Sequence, residues 1–111
     1  MDSLKFENLL NHLDASSVET LLEKNKRYGR PYDVLHNFNK GAGIMGSTPA
    51  RACWGYLTKH LVALRDMVEI NEFDEKELLE KCQDSINYIR FLYCIGMNEI
   101  EEKQEGEHKN E

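Results

Sequence analysis

The sequence predicts an all-α protein, a helical bundle that ends in a long antiparallel hairpin of two helices. Three observations predict it. No stretch alternates apolar and polar residues as a half-buried strand does. Apolar residues recur instead at three- and four-residue spacing, most clearly between residues 50 and 95. The only two prolines, Pro31 and Pro49, stand where helices can begin.

Each element follows in order. Leu4, Leu9, Leu10 and Leu13 place a short amphipathic helix over residues 3–13. Ser16 with Glu19 three residues on forms a capping box, so a second helix is expected from there to about Arg27. Tyr28-Gly29-Arg30-Pro31 ends it, Gly29 suiting a position just past a helix end. Asp33 caps a third helix from Val34 to about Ile44, weakened at its end by Gly41, Gly43 and Gly46. Ser47 or Thr48 followed by Pro49 starts a fourth helix running to about Ile70. After a short turn over 71–73, Asp74 caps a fifth to about Asn98.

Length and composition bound the rest. A chain of 111 residues fits a single domain, placed at 1–98, with 99–111 as an acidic tail. That tail holds six glutamates against two lysines and reads as solvated and disordered. It carries most of the net charge of −6, so the body is close to neutral and shows no footprint for duplex nucleic acid. Hydrophobic residues at 41% and charged residues at 31% describe an ordinary globular protein. No run approaches the length of a membrane span, and no leader peptide is expected. Three cysteines without a CxxC pair point to reduced thiols in a cytoplasm, against a disulfide scaffold or a zinc site.

The last helix is apolar on two sides. Leu79, Cys82, Ile86, Ile89 and Tyr93 make one seam, and Tyr88, Phe91, Leu92 and Ile95 make another, almost opposite. One chain of this size is short of material to cover both, so a homo-oligomer is expected, with Tyr88, Phe91, Leu92 or Ile95 in its interface.

Candidate chemistry lies on the same helix. Glu77, Glu80 and Asp84 share one face, and their line continues into Tyr88, Phe91 and Ile95. Like charges so placed need a compensating cation, either Lys81 or Lys59, or a divalent ion. Two or three carboxylates are what Mg²⁺ takes when it also holds phosphate, so Glu77, Glu80 and Asp84 are the candidate metal ligands. Acids in the first turns also suit the helix dipole without any ligand, which covers Glu77 and Glu80. Asp84 lies beyond that reach. Across the hairpin, Lys59 and His60 fall level with it. His60 admits two readings: a core histidine hydrogen-bonded to Asp84, or a general base, with Lys59 beside it on phosphate. Lys24 and Tyr28 sit in a basic segment that suits phosphate binding with base stacking; cations are equally ordinary at a helix C-terminus.

The stretches LLEKNKRYG (21–29), LHNFNKGAGIMGSTPARACWGYLTKHLVALRDMVE (35–69) and EKCQDSINYIRFLY (80–93) together resemble small phage-encoded proteins of the MazG-like, all-α NTP pyrophosphohydrolase superfamily. The resemblance implies an oligomeric bundle in the cytoplasm of a bacterial host that cleaves nucleoside triphosphates, with Mg²⁺, to monophosphate and pyrophosphate. Glu80, Asp84 and Tyr88 echo the family's second acidic motif, with one extra residue between the acids. Its first acidic motif has no counterpart level with Asp84, where Lys59 and His60 stand instead. The expected function is therefore nucleotide-phosphate binding by a MazG-like fold. It is either a Mg²⁺-dependent pyrophosphohydrolase with an incomplete acidic site, with His60 and Asp84 catalytic, or a non-catalytic phage accessory protein that binds a host protein or sequesters a nucleotide.

Overall fold

A computed structural model describes residues 1–109. Among these the chain forms four helices and no sheet: α1 (Ser3–Tyr28), α2 (His36–Met45), α3 (Pro49–Ile70) and α4 (Glu75–Lys109). The all-α bundle and its C-terminal hairpin are as expected. Three boundaries are not.

The two helices expected over 3–13 and 16–27 are one helix of 26 residues, capped by Asp2, whose carboxylate accepts from the Lys5 amide at 2.8 Å. Ser16 and Glu19 lie inside it, so the capping box does not operate. Asp14-Ala15-Ser16-Ser17 contains no glycine or proline to stop helix propagation. Tertiary contact then holds the weak stretch. Ser17 is completely buried, and its hydroxyl donates back to the Asp14 carbonyl at 3.1 Å. From α4, Asn87 Nδ2 donates to the Ser17 carbonyl at 3.0 Å, and Arg90 Nη1 donates to Ser17 Oγ and to Asn87 Oδ1, both at 2.8 Å.

The acidic segment expected to be a disordered tail continues α4 as helix through Lys109; Asn110 and Glu111 lie outside the described residues. Glutamate, lysine and glutamine are good helix formers, and a helix already nucleated by packing adds exposed turns at little cost. Residues 99–107 are exposed, as a solvated segment should be. At 35 residues, α4 sets the 56 Å length of the molecule.

Caps and turns explain the remaining ends. Gly29 is needed for closeness of approach rather than for a left-handed backbone: its φ is −86°, and a Cβ there would run into Asn25. Arg30 and Asp33 exchange both backbone hydrogen bonds at 3.0 Å, closing a turn around Pro31. Asp33 does not cap α2 directly. Its carboxylate accepts from the Leu35 amide and from Asn39 Nδ2, and the helix begins at His36 rather than Val34. Gly46 (φ 62°) and Asn71 (φ 58°) end α2 and α3 in the left-handed conformation. Thr48 Oγ1 caps α3 ahead of Pro49, and Asp74 caps α4 by accepting from the Glu77 amide at 3.0 Å.

α4 is the hub. α3 runs antiparallel along it, α1 packs on another of its sides, and α2 lies on α3. Leu35, Phe38, Cys53 and Ile95 form the buried core, with Ala50, Tyr88, Phe91 and Leu92 packed against them. The expectation that Tyr88, Phe91, Leu92 and Ile95 face a partner subunit is therefore corrected. α2 and α3 cover that seam within the chain, and the opposite seam is left exposed at Ile89 and Tyr93. No described helix is long and apolar enough to cross a membrane.

Two outcomes follow from this packing. Asn87→Ala removes a second donor from the Ser17 carbonyl and an acceptor from Arg90, and should lower unfolding free energy by about 1–3 kcal/mol in urea titrations. Truncation after Ile100 removes only exposed turns, and should change that free energy by about 1 kcal/mol or less.

Candidate functional site

Helical spacing puts Asp84, Asn87, Tyr88 and Phe91 on one face of α4. On α3, Tyr56 and His60 are four residues apart and meet that face from the hairpin side. α2 contributes Phe38, and α1 brings Lys24 and Tyr28, again four apart, across the remaining side. These elements enclose a cleft of about 610 Å³. Its walls are Lys24, Tyr28, Phe38, Tyr56, Tyr88 and Phe91, with Lys40, Asp84, Asn25, Asn37 and Asn87 supplying polar groups.

The aromatic wall is continuous. Phe38 and Phe91 lie 4.9 Å apart, Tyr56 stacks on Tyr88 at 5.9 Å, and His60 stacks on the same tyrosine at 5.2 Å, ring centre to ring centre. Phe38 also meets Tyr56 and Tyr88 edge-on.

Asp84 is the buried acid at the edge of this wall, 8% exposed. Its Oδ1 lies 3.3 Å from Lys24 Nζ, and its Oδ2 lies 3.7 Å from His60 Nδ1. The first is a hydrogen-bonded ion pair. The second is too long for a hydrogen bond, and His60 Nδ1 has no partner. Burial lowers the His60 pKa; the Asp84 charge opposes this, and Lys81, Lys59 and Lys24 reinforce it. His60 is therefore neutral at pH 7, held by stacking on Tyr88 rather than by a bond to Asp84. Burial raises the Tyr88 phenol, and Asp84, Tyr56 and Cys53 add to the rise. The Cys53 thiol is pushed up to about 11 by burial and donates to the Tyr88 carbonyl at 3.3 Å, so it is no nucleophile.

The expected site residues separate into two groups. Asp84 and His60 meet across the hairpin, and Lys24 joins them although it is 60 residues from Asp84 in sequence. Lys24, Tyr28 and Asp84 all line the cleft. Lys59 does not: it is exposed on α3, outside the cleft, and reaches the site only as a field on His60. The cation that compensates Asp84 is Lys24, not Lys59 or Lys81. Glu77 and Glu80 are exposed on the first turns of α4, where the helix dipole accounts for them.

The donor set does not fit Mg²⁺. Both Asp84 oxygens face cationic or ring-nitrogen groups, and among the described residues no three His, Cys, Asp or Glu side chains converge on a point where an ion could sit. Phe38, Lys40, Tyr56 and Asn87 also line the cleft, and none of them is among the candidate residues that the sequence pattern singles out. The signal for Tyr56 was its four-residue spacing from His60; nothing local marks Phe38 or Lys40, because α2 reaches the site only through its packing on α3.

No protein-family model, no curated protein and no solved structure matches this chain.

The lowered pKa of His60 has a consequence with a definite sign. A histidine disfavoured as a cation contributes stability that is fully present above its ordinary value of 6.5 and is lost as pH falls below it. The urea midpoint should drop between pH 7.5 and pH 5 by more in the wild type than in His60→Phe, which keeps a ring on Tyr88 but cannot titrate. Equal drops in the two proteins would show that His60 does not carry this linkage.

Proposed function

We propose that this chain binds a nucleotide, with the base held against the aromatic wall of the cleft and the phosphates on the lysines at its rim. The observation that carries the reading is the combination in one cleft of Tyr28, Phe38, Tyr56, Tyr88 and Phe91 with Lys24 and Lys40. Stacking on aromatic faces is worth about 1–3 kcal/mol per base, and it tolerates any base because each has a π-face. Asn25 and Asn37 offer amides to the base edge or the sugar, while the Asn87 amide is taken up by Ser17 and Arg90.

Lys24 is half-exposed and spans both environments, with its ammonium on Asp84 and its stem along the cleft. An incoming phosphate competes with Asp84 for this cation. The arrangement suits reversible anion binding, in which Asp84 holds Lys24 in place between ligands.

The reading is non-catalytic. A Mg²⁺-dependent pyrophosphohydrolase of the MazG-like kind needs several carboxylates that converge on one point, and here Asp84 is committed to Lys24 and, among the described residues, Glu77 and Glu80 do not converge on it. Nucleotide sequestration by a phage accessory protein is consistent with such a site; the phage origin rests on the resemblance alone.

The test is a panel of ribo- and deoxyribonucleotides with and without Mg²⁺, read by calorimetry and by product formation. Binding should occur without metal and without turnover. Lys24→Met should weaken it about fivefold, the scale of one exposed charge contact. Asp84→Asn separates the two readings by sign. It releases Lys24 and should leave affinity equal or tighter, whereas a metal-dependent enzyme would lose binding or turnover. Failure of every nucleotide to bind, in either condition, would end the proposal.

A further inference from the structure

Charge is divided unevenly along this chain. Residues 24–65 hold eight Lys and Arg against one acid, Asp33, inside a protein whose net charge is −6. That stretch supplies the last turns of α1, the turn after it, α2 and most of α3, and so most of the cleft wall. Lys26 and Arg65 are answered by Glu23 and Glu69 on their own helices. Arg27, Arg30, Lys40, Arg51 and Lys59 form no ion pair among the described residues. Cations gathered this way in an acidic protein mark a surface for a polyanion.

Two of these cations are tied to the cleft by geometry. Lys40 lines it. Arg30 stands at one end: Gly29 and Val34 both line the cleft, and the turn between them is held by the paired backbone bonds of Arg30 and Asp33. The Arg30 guanidinium donates from Nη1 to the Gly29 carbonyl at 3.0 Å, which lays it against that end. Cation and ring then alternate along the rim as Lys24, Tyr28, Arg30 and Tyr32. Tyr28 is 57% exposed and Tyr32 is 85% exposed, so both rings offer a face to a ligand. The acids Glu19 and Glu23 lie on the other flank of Lys24, with Thr20 and Arg27, away from this path.

A mononucleotide uses only part of this surface. Its base takes the ring faces inside the cleft and its phosphate takes Lys24 or Lys40, which leaves Arg30 and Tyr32 outside any contact. A strand uses all of it, because its next phosphate and next base continue past the end of the cleft in the alternation that the rim shows. Aromatic side chains stack on bases whose faces are open, and a duplex closes those faces by its own stacking.

We infer that the nucleotide held in this cleft is one unit of a single-stranded nucleic acid, with phosphates on Lys24, Lys40 and Arg30 and the next base stacked on Tyr32. This rests on the nucleotide reading of the cleft and extends it from a small molecule to a polymer. The strand is recognised by charge and ring faces, so the site accepts it with little regard to sequence.

The experiment is fluorescence anisotropy of the full chain with labelled oligothymidylate and oligouridylate of about twelve nucleotides, within the span that one such site covers. Thymidine and uridine monophosphates are measured beside them by calorimetry. At least one strand should bind about tenfold or more tightly than its own monophosphate. Its affinity should fall about twentyfold between about 50 and about 200 mM salt, the effect of three phosphate contacts on a single strand. Tyr32→Ala should weaken the strand about fivefold or more, and Arg30→Gln should lower the salt slope by about 0.7. Both should leave monophosphate affinity and the helical circular dichroism signal unchanged. Strands that bind no more tightly than their monophosphates would overturn the inference and leave the nucleotide reading standing. A duplex of the same length, or polyglutamate, that binds as tightly would also overturn it, because charge alone would then suffice. Absence of binding by strands and monophosphates alike would end both readings together.

Discussion

A helix with apolar side chains on two opposite sides has to be covered twice, and α4 is such a helix. α2 and α3 cover one side, burying Ile95 with Phe38 and Cys53 and half-burying Tyr88, Phe91 and Leu92. This choice determines most of what surrounds it. The hairpin turn over 71–74 lets α3 return along α4, and α2 then has to lie on α3 to bring Leu35 and Phe38 over the aromatic patch. Hydrophobic burial of this kind supplies the largest favourable term in folding, and it is not directional. It brings the elements together without setting how α1 is placed along α4.

That placement falls to polar groups. Ser17, Asn87 and Arg90 form a small network, and Lys24 meets Asp84 two turns of α1 further on. Each such bond contributes about 1 kcal/mol net, but a shift of α1 by one turn would leave several buried groups unpaired at once, at about 1–3 kcal/mol apiece. The ion pair itself adds little to stability, since removing Asp84 from water offsets most of the attraction. The Ser17, Asn87 and Arg90 network is what brings Lys24 and Tyr28 to the rim of the cleft, where Lys24 rests on Asp84.

The same neighbourhood explains the character of the cleft. Burial keeps His60 neutral and Tyr88 protonated, so Tyr88 lines the cleft as an uncharged ring, and His60, which does not line it, stacks on Tyr88. Among the described residues, the charged side chains that line the cleft are Asp84, paired with Lys24, and Lys40. The proposed nucleotide reading rests on these features: ring faces for a base and lysines at the rim for phosphate.

Local rules sufficed wherever the cause is local. The all-α class, the Pro49 start with its Thr48 cap, the hairpin and the Asp74 cap follow from spacing and capping chemistry that a few adjacent residues decide. The level placement of His60 with Asp84 follows from the turn position and the rise of a helix. Other features depended on residues far apart in the chain. Ser16 has every local mark of a helix start, yet α1 passes through it because Asn87 and Arg90, some 70 residues away, hold Ser17 inside the bundle. The compensation of Asp84 by Lys24, the arrival of Phe38 and Lys40 at the cleft, and the choice of which side of α4 is covered within the chain are likewise tertiary. Periodicity shows that a helix has two apolar sides, but which of them a neighbour reaches is decided only when four helices compete for the same surface.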